Sequence, residues 1–223
     1  MSALRFAAEE KKERIRMHGM PKNNMNKLDI LAVGKLVRVE GTIIEAHSTS
    51  TLIRTEDTNI VVDTSTSYML PSLKISLKQI GILPKDVDII VLTHTHHDHC
   101  SNNRLFSKAK IYVRKEECPD LKDHVPVSSD IEMADGVRLI HTPGHTHGSM
   151  SVFVEGERKY AIAGDTIPLE DNFKRMVPPG INYDPATAME SIKSITGYAD
   201  VIVPGHGLPF LNSKRKINER RSG

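Results

Sequence analysis

The sequence predicts one α/β domain, and three observations lead to that reading. Short apolar, β-branched runs recur along the chain, as in Ile60-Val61-Val62 and Ile89-Ile90-Val91-Leu92, with the length and composition of buried strands. Stretches with helical start and stop signals lie between them, such as the segment that opens at Pro185 and closes at Gly197. A chain of 223 residues with 39% hydrophobic content is also long enough for one large domain with a substantial core.

In chain order, Ala3 to Met17 reads as a charged amphipathic helix with a thin apolar stripe, followed by an Asn-rich and Pro-containing loop to Lys27. Strand-like runs follow at Leu28–Val33, Leu36–Val39, Thr42–Ala46, Thr51–Arg54 and Asn59–Asp63, which together predict a meandering first sheet. Ser72 to Ile80 reads as a helix stopped by Gly81, and Asp98 to Phe106 as a second helix. Lys108–Val113 and Val137–His141 predict strands of a second sheet. The polar stretch Glu116 to Asp130 between them carries no clear pattern. Met150–Val154 and Lys159–Ala163 form a predicted hairpin through Gly156. Ile167 to Asp184 is a long insertion with apolar and basic side chains, suited to shape a substrate site. A helix over Ala186–Ile195, the run Val201–Val203 and a tail with five basic residues from Lys214 to Arg221 complete the chain.

The chemistry concentrates where the run Asp88 to Thr93 ends, in His94-Thr95-His96-His97-Asp98-His99. In extended backbone residues i and i+2 point the same way, so His94 and His96 can share one cation while Thr95 faces elsewhere. Asp98 and His99 open the next element and can serve a neighbouring cation, whereas His97 points away. The end of a strand is the usual place for a site in an α/β sheet. Three further fragments, Gly144-His145, Gly164-Asp165 and Gly205-His206, each set a His or Asp directly after a Gly near the end of a strand-like run.

In this order and spacing, HxHxDH followed by a His, an Asp and a His, the chain resembles the metallo-β-lactamase-fold hydrolases from about residue 28 to 211. The resemblance implies a four-layer αββα sandwich over 28–212, flanked by an N-terminal helix and linker (1–27) and a basic tail (213–223). It implies two zinc ions per chain, with iron or manganese as the alternatives. His94, His96 and His145 would hold the first metal, and Asp98, His99 and His206 the second, with Asp165 bridging both. Asp98 would also act catalytically by orienting the attacking hydroxide, and Asp63 would support the ligands from beneath. Here the paired glycines common in the family are replaced by Cys100-Ser101-Asn102-Asn103, and the best reading of Cys100 is a buried inert thiol.

Two zinc ions would pull the pKa of bound water towards roughly 7. The expected function is therefore hydrolysis of a small ester, lactone or thioester by a dinuclear zinc centre. Phosphodiester or ribonuclease activity at the same centre is the alternative, and a mononuclear iron persulfide dioxygenase the third reading. A bridging Asp165 is unlike the β-lactamases of the fold, and His96 is unlike its diiron flavoproteins. The residues after His206 do not match the helical region of glyoxalase II-type thioesterases. Pro168 stands where acyl-homoserine lactonases have Tyr. The expected partner is a small molecule, with nucleic acid second and a homo-dimer through the N-terminal helix left open. No apolar run approaches a membrane span and no secretory signal is visible, so no membrane partner is expected. Two Cys make no disulfide framework, and a reducing cytoplasm is the expected location. The net charge of +2 does not by itself argue for nucleic acid.

Overall fold

A computed structural model describes residues 25–117 and 123–214. Two six-stranded sheets pack face to face. With strands numbered along the chain, the first sheet has the order β1 (Lys27–Ala32), β4 (Ser50–Arg54), β5 (Asn59–Val62), β6 (Ile89–Val91), β7 (Lys110–Arg114), β8 (His124–Val127). The second has the order β14 (Phe210–Leu211), β13 (Val201–Pro204), β12 (Lys159–Gly164), β11 (Met150–Glu155), β10 (Val137–His141), β9 (Ile131–Ala134). The helices are α1 (Leu70–Gln79), the single turn α2 (His97–Cys100), α3 (Glu170–Arg175) and α4 (Pro185–Tyr198).

The period of two along each strand builds the layers. Ile60 and Val62 enter the core between the sheets while Val61 faces out, and Val91 faces in while Ile90 and Leu92 face out. In the second sheet Val152, Ile162 and Val203 face the same inner core, and Phe153, Ala161 and Ile202 face the other way. The outward residues of the first sheet pack on Leu73 and Leu77 of α1, and those of the second on Ile192 and Ile195 of α4. Helix, sheet, sheet and helix make the αββα sandwich. Each large side chain buried in these three cores contributes about 1.5–3 kcal/mol of transfer free energy.

Mixed pairing decides where the site lies. β5 and β6 run parallel with Val62 beside Val91, and β12 and β13 run parallel with Gly164 beside Pro204. Their carboxyl ends open on one edge of the sandwich, and the chain leaves that edge through Asp63, His94, Asp165 and His206.

Several expectations need correction. β2 (Lys35–Val39) and β3 (Thr42–His47) do not extend the first sheet, and form a separate antiparallel ribbon instead. The ribbon is fastened where the Gly34 N–H donates to Thr49 Oγ1, which donates in turn to the Gly207 carbonyl beside His206. The helix predicted over 98–106 is one α turn followed by a 3-10 turn at Asn103–Leu105. Asn102 interrupts it, because its Nδ2 donates to the carbonyls of Thr64 and Thr66 instead of pointing to solvent. The strand predicted over 108–113 for the second sheet is β7, which instead pairs in parallel with β6 in the first; the stretch 116–130 contains β8, and β9 and β14 complete the second sheet. α4 passes through Gly197 and ends at Tyr198. The predicted helix over 3–17 and tail residues 215–221 lie outside the described residues. Lys214 is described, and its Nζ donates to the Phe173 carbonyl at 2.8 Å.

Candidate metal centre

The seven side chains singled out by spacing converge at that edge. His94 leaves β6 after Leu92 and Thr93, Asp98 and His99 sit on α2, and His145 is in the loop from β10 to β11. Their ligand atoms fall into three triads, each within 4.8 Å: His94/His96/His145, His94/His99/Asp165 and Asp98/His99/His206. His96 Nδ1 lies 3.1 Å from His145 Nε2. Asp165 sits between the groups, with Oδ2 3.7 Å from His145 Nε2 and Oδ1 3.4 Å from His99 Nε2 and 3.1 Å from His206 Nε2. His97 is exposed and belongs to no triad. His141 is also outside them, with Nε2 2.9 Å from the His147 carbonyl.

Two glycines make this convergence sterically feasible. A Cβ on Gly205 would come within 2.0 Å of Asp165 Oδ1, and one on Gly144 within 2.3 Å of the Ala188 backbone, at a φ of +135° open to glycine alone.

Outer partners orient the rings. His145 Nδ1 faces the Ile181 carbonyl at 2.7 Å and His206 Nδ1 the His47 carbonyl at 2.8 Å. A carbonyl only accepts, so each Nδ1 carries the proton and each Nε2 turns a lone pair to the centre. His99 Nδ1 meets Asp63 Oδ2 at 2.7 Å, and Asp63 also accepts from the Thr93 N–H and hydroxyl, both at 2.8 Å. Asp63 is buried with φ +54°, an uncommon left-handed conformation that Asp tolerates better than most residues. This is the supporting position that the family resemblance implies.

Burial, aided by the neighbouring His99, holds the His94 imidazole well below its usual value, in the neutral form that ligates. Burial alone would lower His99 too, but Asp63 and Asp165 outweigh it and hold that ring well above the usual value. Burial raises the Asp165 carboxyl, and His99 and His206 outweigh that and keep it well below the ordinary range. The donor set fits divalent cations on a specific observation: His94 Nε2, His99 Nε2 and Asp165 Oδ1 are buried without a hydrogen-bond partner. Buried polar atoms left unsatisfied are costly, and imidazole with carboxylate is a set that suits zinc.

Glu117 falls in the stretch that sequence patterning left unplaced. Its Oε2 accepts from the Thr95 N–H and hydroxyl at 3.0 Å, and its Oε1 from the Gly148 N–H at 3.0 Å and from the Thr146 hydroxyl. One carboxylate thus ties the loop of His94 and His96 to the loop of His145. Such a link joins residues distant in the chain and leaves no local signal.

The family model described as the metallo-beta-lactamase superfamily matches residues 44–206, from the ribbon through the last histidine. The chain belongs to this superfamily. It is a metal-dependent hydrolase by family. A protein of Methanocaldococcus jannaschii named as a probable metallo-hydrolase is 36% identical over 80% of this chain and 86% of its own. Metallo-beta-lactamase domain-containing protein 1 of Xenopus laevis is 33% identical over 81% and 79%. An N-acyl homoserine lactonase of Bacillus thuringiensis is 32% identical over 53% of this chain and 54% of its own. Among solved structures, an N-acyl homoserine lactone hydrolase with N-hexanoyl-L-homoserine at its metal centre superposes with a TM-score of 0.66, at 21% identity over 90% and 96%. That likeness shows the shared fold.

In this superfamily member a cleft lined by His96, Asp98, His145, Asp165 and His206 opens over the triads. Leu36, Arg38 and Ile43 of the β2–β3 ribbon form one wall, and Pro168, Pro179 and Ile181 of the 167–184 insertion the other. The insertion borders the site as its sequence suggested, although part of it is α3. The ribbon's share follows from its detachment from the first sheet. No helix among the described residues is long and apolar enough to cross a membrane.

Proposed function

We propose that this protein is a dinuclear zinc hydrolase acting on a small ester, lactone or thioester in the cytoplasm. The observation that carries the reading is the position of Asp165 between the two histidine groups, with Oδ2 3.7 Å from His145 Nε2 and both oxygens within 3.3 Å of His206 Nε2. This supports a bridging role, with His94, His96 and His145 holding one cation and Asp98, His99 and His206 the other. When bound, two zinc ions supply Lewis acidity and make water a competent nucleophile near neutral pH.

The chain supplies the rest. Asp98, partly exposed with Oδ2 3.6 Å from His206 Nε2, faces the cleft and is the group that orients the incoming water and takes its proton. Fixed Nδ1 partners keep the rings of His145, His206 and His99 from rotating, which lowers reorganisation during turnover. The apolar walls hold a short acyl chain and limit competing water. In the reaction water adds across the acyl C–O or C–S bond, giving a carboxylic acid and an alcohol or thiol.

The test is metal counting on protein purified without added metal, followed by a panel of lactones, thioesters and phosphodiesters. About two zinc per chain with acyl hydrolysis supports the reading. One iron per chain with persulfide oxidation, or zinc with phosphodiester cleavage alone, would overturn it.

A further inference from the structure

The cleft carries a cation that the hydrolytic centre does not use. Arg38 lies on the ribbon wall opposite the insertion, and among the described residues it has neither an ion-pair nor a hydrogen-bond partner. Among the described side chains lining the cleft it alone bears a permanent positive charge. Its guanidinium occupies room that a glycine leaves open: a Cβ on Gly180 would come within 2.7 Å of one guanidinium nitrogen and 3.2 Å of the other. Arg38 is exposed and its fork lies beside Gly180, in a cleft that Leu36, Ile43, Pro179 and Ile181 also line together with His96, Asp98, His145, Asp165 and His206.

An unpaired guanidinium in an otherwise apolar wall favours a planar anion, which it can meet with two parallel hydrogen bonds. A polyanion such as nucleic acid needs a track of basic groups, and this cleft offers one. We propose that Arg38 is the specificity-determining residue of the site, anchoring a carboxylate at the far end of the substrate, so that the native substrate is an anionic acyl ester, lactone or thioester and not a neutral one. This rests on the hydrolase reading for the reacting end, and on the ribbon wall alone for the anionic end.

Two measurements separate those supports. The first compares kcat/KM for the monophenyl ester of adipic acid and for its methyl-capped counterpart, phenyl methyl adipate, in the metal-loaded wild type, Arg38→Met and Arg38→Lys. Wild type favours the anionic ester, and Arg38→Met reduces that preference about 10- to 100-fold, as expected for a charged hydrogen-bonded pair. Arg38→Lys keeps part of it, since the charge remains without the fork. The second is calorimetric binding of the dicarboxylates succinate to adipate against their monomethyl esters. At least one dicarboxylate binds wild type more tightly than its ester, and Arg38→Met removes the difference. A wild type without preference for the anion, or a preference untouched in Arg38→Met, overturns the proposal. If neither ester is cleaved, the binding series alone decides on Arg38, and the lactone and thioester panel decides on the acyl-hydrolase reading.

Discussion

The carboxylate of Asp63 and the ring of His99 are joined at 2.7 Å beneath the centre, with both groups buried. Because Asp63 already accepts two hydrogen bonds from Thr93, its geometry is set before His99 arrives. In Asp63→Asn one oxygen becomes an NH₂ donor. If that donor faces His99 Nδ1, the ring proton is driven to Nε2, the atom aimed at the centre. Metal affinity is expected to fall about 10- to 100-fold. Competition with a chelator of known affinity measures it, and unchanged affinity would remove Asp63 from the supporting role.

His96 is an exposed residue on a loop and contributes little to the core. His96→Ala is therefore expected to lower metal content and abolish turnover while leaving far-UV circular dichroism unchanged. Full occupancy with full activity in that variant would refute its assignment as a ligand.

Asp165→Ala removes the one carboxylate that faces both histidine groups. Titration with zinc is expected to retain one tight site and lose most of the affinity at the other. Two tight sites would count against bridging.

Gly205→Ala reaches the same carboxylate from behind. The added Cβ would lie 2.0 Å from Asp165 Oδ1 and 3.0 Å from the Gly164 carbonyl oxygen, so either Asp165 or the backbone must shift. The expected result is metal loss similar to Asp165→Ala together with a lower Tm, read by differential scanning calorimetry. A variant with wild-type metal content and Tm would show that the edge yields more easily than its packing implies.

Glu117→Ala leaves two hydroxyls and two backbone N–H groups without their acceptor. A part-buried group deprived of its partner costs about 1–3 kcal/mol, which denaturant titration can read. Glu117→Gln keeps one acceptor oxygen and is expected to restore part of the loss. The conservative variant distinguishes hydrogen bonding from simple packing.

The convergence of the seven candidate ligands was legible in the sequence because their four segments lie at or shortly after strand ends, three of them marked by a Gly, and strand ends are where parallel pairing opens the sheet. The β2–β3 ribbon was not, since Leu36–Val39 and Thr42–Ala46 show the same alternation whether they join a large sheet or pair only with each other. The α2 turn also escaped. Nothing local to Asn102 shows that its amide will serve carbonyls more than 30 residues earlier. Glu117 and Arg38 act through neighbours distant in the chain, which a local pattern does not encode.

If the seven candidate residues ligate as proposed, their division between the two sheets would couple cation affinity to the stability of the whole sandwich. His94, His96, Asp98 and His99 come from one half, and His145, Asp165 and His206 from the other. A cation bound there would be a clasp across the seam, adding stability that grows with the logarithm of its free concentration. Cavities cut at Val62 or Val203, buried between the sheets, would loosen the clasp as well as the core. Metal starvation in turn would make the two halves easier to part.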